Sequence, residues 1–197
     1  LGWNPGTEQE LFSLEELIQE FDLNRVNKAG AKFDPEKTKW FQQQHLQNTT
    51  TTLLSSKFEK ILSDKGISTS LDIDKIIEMV KERAVFTADF WDLSHFFFTS
   101  PKQYDEKAIK KAWKEDTPLL MQELIRILQD ISDFSEDNVS SIVKSWIKGK
   151  EIGFGKIMMP LRIALVGSLQ GPDLFAIAAM IGKEETIARI KNTIDSN

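Results

Sequence analysis

The spacing of apolar residues constrains this chain more than any other feature. Leu120, Leu124, Ile127, Leu128 and Ile131 recur at three- and four-residue intervals, as do Ile76, Ile77, Val80 and Ala84, and Val139, Ile142, Val143 and Trp146. Each set lies on one face of a helix. No segment alternates apolar and polar residues between Asn-Gly or Asp-Gly turns, so a sheet-rich architecture is disfavoured and an all-α fold is expected. No repeat of fixed period appears, which argues against a helical solenoid.

Helix boundaries are marked by residues that satisfy free backbone groups. Ser13 with Glu16 three residues on, flanked by Phe12 and Leu17, reads as a capping box with a hydrophobic staple, predicting a helix to about Phe21. Asp34-Pro35 places an N-cap before proline at the first helical position, ahead of Trp40, Phe41 and Leu46. After the polar run Asn48 to Thr52, periodicity resumes at Leu53, Leu54, Phe58, Ile61 and Leu62 until Gly66 closes the turn. Composition changes near Ser70, predicting two subregions, 1–70 and 71–197. In the second, Asp72 or Asp74 caps a helix through Ala84, Thr117-Pro118 opens a long one, and Ser135 starts another ending at Gly149. Pro160 begins a short helix over Leu161 to Val166. Gly171-Pro172 begins the next, through Ile181, and after Gly182 the last runs from Glu184 to Ile194.

With 197 residues, 41% of them hydrophobic, the chain can bury a sizeable core. It has no uninterrupted apolar stretch of the roughly 20 residues that a membrane span requires and no secretory leader pattern, so a cytosolic setting away from membranes is expected. Cysteine is absent, and His45 and His95 stand alone, so neither a disulfide nor a metal site is expected. Leu1-Gly2-Trp3-Asn4-Pro5-Gly6 is a turn-rich opening that reads as a cut between domains. The net charge of -5 opposes generic nucleic-acid binding, so any such contact must be local.

Chemistry is not visible either. Glycines stand singly rather than in a phosphate loop. No Ser or Cys is placed beside a base and an acid, and Glu15, Glu16, Asp72 and Asp74 sit where helix starts favour negative charge. No catalytic residue is assigned. Asn48-Thr49-Thr50 and Asn138-Val139-Ser140 match a glycosylation pattern by chance.

A basic island spans Lys144, Lys148, Lys150, Lys156 and Arg162, with only Glu151 as counter-charge. The lysines are candidates for the RNA backbone, although lysines near Gly149 also complement a helix C-terminus. Arg162 differs, because it interrupts the apolar stretch Met158 to Val166, where a guanidinium needs an acid, carbonyls or a base edge. Gly171-Pro172-Asp173-Leu174-Phe175 follows as a helix start whose open amides and apolar side chains suit an unstacked base. Core packing is the competing account of Leu174 and Phe175.

The runs Gly155 to Gly167 and Gly171 to Phe175 resemble the anticodon-binding end of bacterial-type glutamyl-tRNA synthetases. Leu1-Gly2-Trp3, Phe12 to Leu17, Phe21-Asp22-Leu23, Lys32-Phe33-Asp34 and Lys39-Trp40-Phe41 resemble the stretch that follows the catalytic domain of that family, and Lys81 to Ala84 and Trp113-Lys114-Glu115 fit between. The resemblance is collinear along the chain. It implies a stem-contacting region over 1–70 and a helical anticodon-binding domain over 71–197, with glutamate tRNA as partner and a monomeric state. It also implies a missing N-terminal catalytic domain that carries the HIGH and KMSKS motifs and uses ATP and Mg, so that this portion holds no cofactor and is inactive alone. Carried over by position, Arg162 hydrogen-bonds an anticodon base, Gly171, Pro172, Leu174 and Phe175 form the surface against which a base packs, and Arg83 is a weaker candidate for another base. Two sites depart from the family pattern, a three-residue turn and a single position. Ser168-Leu169-Gln170 is neutral where relatives carry basic or imidazole groups, and Gln42 replaces asparagine.

A different class of function is a helical protein-interaction module docking through Phe86, Phe90, Trp91, Phe96, Phe97 and Phe98, for which core packing again competes. A glutaminyl-tRNA synthetase fragment is opposed by periodicity, since its anticodon region resembles barrels of strands.

Overall fold

The computed structural model describes residues 2–28, 30 and 32–197. Leu1, the first residue of the N-terminal motif, lies outside the described residues. Among these residues every named element is helical, and the only strand-like pairing is an isolated antiparallel bridge between Trp3 and Val26.

Helix α1 (Leu14–Glu20) starts with the predicted capping box. Ser13 Oγ accepts from Glu16 N–H at 3.1 Å and the Glu16 carboxylate accepts from Ser13 N–H at 2.7 Å. No residue of α1 is buried, and the residues flanking it, Phe12 and Phe21, both meet the Trp3 ring. Helix α2 (Pro35–Asn48) follows Asp34, whose carboxylate accepts from Glu36 and Lys37 N–H. Helix α3 (Thr51–Asp64) ends in a Schellman motif: Gly66 takes positive φ, its N–H donates to Ser63 O and Ile67 N–H donates to Leu62 O, both at 2.9 Å.

Helices α4 (Ile73–Val80) and α5 (Asp89–Ser94) pack on α3, with the Phe58 ring against both Phe90 and Phe98. Helices α7 (Thr117–Asp130), α8 (Glu136–Gly149), α9 (Gly155–Val166), α10 (Leu174–Ile181) and α11 (Lys183–Asp195) form the rest of the core, with α6 (Glu106–Ala112) laid on α9. One buried apolar cluster runs from Leu46 and Phe58 through Ile76 and Phe90 to Leu161 and Ile190, so it crosses residue 70, which lies in the link between α3 and α4.

Several helices depart from expectation. Helix α4 stops at Val80, four residues early. Lys81–Arg83 turns as a 3-10 helix, which lets Lys81 Nζ donate to Thr49 O while Gln43 and Gln47 donate to Glu82 O. Helix α9 begins at Gly155, so Pro160 is inside it rather than at its start. The lost N–H costs one helical bond, and burial of Ile157, Pro160 and Leu161 on the same helix offsets it. Helix α10 begins at Leu174, after Asp173. Ser135 precedes α8 without a side-chain cap bond, and its hydroxyl donates to Asp133. The short α5 and α6 were not foreseen.

The docking face proposed for the aromatic run is absent. Phe90, Phe96 and Phe97 are buried, and of the six residues only Phe86 is exposed. Their helical spacing belongs to the core.

Candidate nucleic-acid interface

Helix α9 is buried on most sides, and from Pro160 through Gly167 only Arg162 escapes burial. Its Nη1 donates to Pro172 O at 2.8 Å, leaving its other donors available to a ligand. Burial pushes the guanidinium below its ordinary pKa, neighbouring Asp173 opposes that shift, and Arg83 adds to it.

Gly171 leaves room for this placement. Its φ is 151°, and a Cβ there would stand 3.2 Å from Arg162 Nη1 and 3.7 Å from Val166. Gly167 ends α9 in the left-handed region, its N–H on Ile163 O at 2.8 Å and its carbonyl accepting from Asp105 N–H at 2.9 Å. A Cβ at Gly167 would lie 3.1 Å from Gln103 O.

Arg83, exposed on the 3-10 turn after α4, meets Arg162 across a cleft of about 430 Å³ lined also by Leu169, Gln170 and Gly171. A second cleft of about 340 Å³ shares Arg83, Gln170 and Gly171 and extends past Asp92, His95, Gln103 and Ser168. Two guanidiniums sharing one open cleft repel each other, which favours an occupant rich in acceptors or negative charge. Arg162, Gly171 and Arg83 are thus brought together from distant segments. Asp92, His95 and Gln103 carried no signal of this in the sequence, being ordinary helix and loop residues. Ser168, Leu169 and Gln170 were noted only for their missing charge.

Other expectations are corrected. Leu174 is 1% exposed and Phe175 3%, and Pro172 is buried as well, so these side chains face the core and offer no surface to a base. Nor are the amides at the start of α10 open: Asp173 accepts from Phe175 N–H at 2.8 Å and Ala176 N–H at 3.1 Å. Pro172 contributes its carbonyl, which orients Arg162.

The basic island is partly neutralised. Lys150 pairs with Glu123, and Lys156 pairs with Asp116 at 2.7 Å. Lys144 holds its ammonium 5.4 Å from the centre of the Phe175 ring, a cation–π contact. Among the described residues, neither Lys144 nor Lys148 forms an ion pair. Among the described residues, no group of His, Asp and Glu could hold a metal ion and no helix is long and apolar enough to cross a membrane.

The described residues form an all-helical domain with two arginines over one open cleft, and the comparisons define its class. The sequence matches the anticodon binding domain family over residues 36–194, and the chain belongs to that family. It is similar along its whole length to glutamate–tRNA ligases. It is 55% identical over 197 residues to that of Flavobacterium johnsoniae and 41% over 196 residues to that of Bacteroides fragilis, covering 100% and 99% of this chain. The chain spans 39% of the length of both relatives and corresponds to their C-terminal part. Among solved structures, the glutamate–tRNA ligase of Elizabethkingia meningosepticum in complex with its amino acid superposes with a TM-score of 0.94 at 45% identity. The match covers 100% of this chain and 39% of that one. The enzyme from Elizabethkingia anophelis gives 0.90 at 44%, over 99% of this chain and 38% of that one.

Proposed function

We propose that this chain is the tRNA-binding C-terminal part of a cytoplasmic, monomeric glutamate–tRNA ligase, an enzyme that joins glutamate to tRNA with ATP and Mg bound in a catalytic region outside this chain. Residues 1–70 contact the tRNA stem and residues 71–197 read the anticodon. Arg162 donates to the edge of a base splayed from the anticodon loop, held in position by Pro172 O and admitted by Gly171. Arg83 meets a second base or its phosphate, while Lys144 and Lys148 add attraction for the backbone.

One observation carries this reading: Arg162, alone among its buried neighbours in α9, reaches a cleft that it shares with Arg83. A purely structural arginine would be expected to place several of its donors on protein acceptors, as Arg189 does, whereas Arg162 places one, on Pro172 O.

The test is binding of the chain, at two salt concentrations, to glutamate tRNA and to the same tRNA with its anticodon replaced. Preference for the native anticodon is expected, with affinity falling by a log–log slope of about 0.7 to 0.9 per phosphate contact. Arg162→Ala should cost about 1–3 kcal/mol on the native tRNA and little on the altered one. Equal binding of both tRNAs by the unmodified chain would remove the anticodon reading and leave a stem grip only.

A further inference from the structure

Arg189, in the middle of α11, is 2% exposed although it carries a full charge. A guanidinium withdrawn from water needs partners for its donors. Its Nε donates to Glu185 Oε1 at 2.7 Å, and its Nη1 donates to Phe96 O at 2.6 Å and to Leu165 O at 2.8 Å. Ser100 Oγ donates to the same Glu185 oxygen at 2.6 Å, closing the network on the segment after Phe96.

The two carbonyls belong to segments far apart in the chain. Phe96 lies in the 3-10 turn His95–Phe97, and Leu165 lies in the last turn of α9, where carbonyls lack helical partners. Both segments line the cleft that continues from Arg83 and Gly171. His95 and Phe96 contribute to its lining from one segment, and Val166 and Gly167, directly after Leu165, from the other. Arg189 therefore joins these segments from behind, through the core. A lysine ammonium is a single point of donation, and an apolar residue would leave both carbonyls and Glu185 without this partner.

We infer that Arg189 is a positioning residue for the anticodon cleft: it fixes the separation of the His95–Phe97 turn and the end of α9, and with it the stance of Arg162, Gln170 and Gly171. The inference rests on the reading that this cleft receives an anticodon base.

The experiment compares Arg189→Met and Arg189→Lys with Leu62→Ala, a core truncation in α3 that is absent from the cleft lining and lowers stability without touching the network. Native and anticodon-replaced tRNA binding is measured at a temperature where circular dichroism shows every variant folded, and hydrogen exchange is followed in the free chains. Arg189→Met should reduce the anticodon preference roughly tenfold and Arg189→Lys by less, with Leu62→Ala keeping the full preference. Amides at Phe97–Thr99 and Val166–Gly171 should exchange roughly tenfold faster in Arg189→Met but not in Leu62→Ala. If Arg189→Met fails to fold, Arg189→Lys decides alone. An Arg189 variant that loses stability yet keeps the preference and shows no selective loosening would overturn the role. Were the unmodified chain to show no preference, the proposed function would fail, and the exchange measurement would still decide whether Arg189 holds the two segments.

Discussion

Arg162 and Gly171 are coupled, because a Cβ at Gly171 would stand 3.2 Å from Arg162 Nη1 and push the guanidinium aside by a few tenths of an ångström. Gly171→Ala should therefore strain the backbone at φ 151° by about 1–3 kcal/mol and also weaken anticodon preference by displacing Arg162. Thermal melts and the paired tRNA measurement read the two effects separately. Glu185 offers a test in pH. Desolvation pushes its carboxyl up, but hydrogen bonds from Ser100 and Arg189 and the charge of Arg189 outweigh that, holding it below its ordinary 4.5. A carboxylate depressed in the folded state stabilises the fold above the unfolded value, and that contribution disappears as pH falls through the folded value. Glu185→Gln should thus melt below the unmodified chain at pH 7, with the gap narrowing below about pH 4.5. A gap independent of pH would mean that the carboxylate is not stabilising. At this scale the lone arginine was legible, since charge inside an apolar stretch stands out. The inward turn of Leu174 and Phe175 was not, because apolar side chains look the same whether they face a ligand or a core.

Helix ends behave according to what their helices bury. Ser13 and Asp173 both cap through side-chain oxygens, but α1 buries nothing while Leu174 through Ala178 of α10 are buried. Ser13→Ala should fray α1 by about 1 kcal/mol and leave the main melting temperature in place, whereas Asp173→Ala should lower it by about 0.5–2 kcal/mol of stability. Circular dichroism melts compare the two, and equal shifts would contradict the difference in coupling. The caps at Ser13 and Asp34 and the glycine at Gly66 were readable because each meets backbone groups within a few residues. The start of α9 was misplaced at Pro160 because the packing that offsets an interior proline comes from other helices. Helix α6 was too short to show periodicity, and α5 showed only the helical spacing of its aromatic residues, without boundaries.

Across the molecule, the continuous cluster joins α3 to the helices that carry the cleft. Phe58→Ala should cost about 3–5 kcal/mol and accelerate hydrogen exchange in α7 and α11 as well as in α3 and α4. Loosening confined to α3 and α4 would show that the two subregions unfold separately, whatever their division of labour on tRNA. The all-α class and the collinear family signature were determined by the sequence itself, because period, caps and turn residues act over short range. Three things were decided only by tertiary structure: which lysines are neutralised, which apolar faces turn inward, and that Arg83 meets Arg162. The reason is physical. Periodicity tells which residues share a face, but only the burial of that face against distant segments determines its neighbours, and those contacts are not encoded in any one window of the chain.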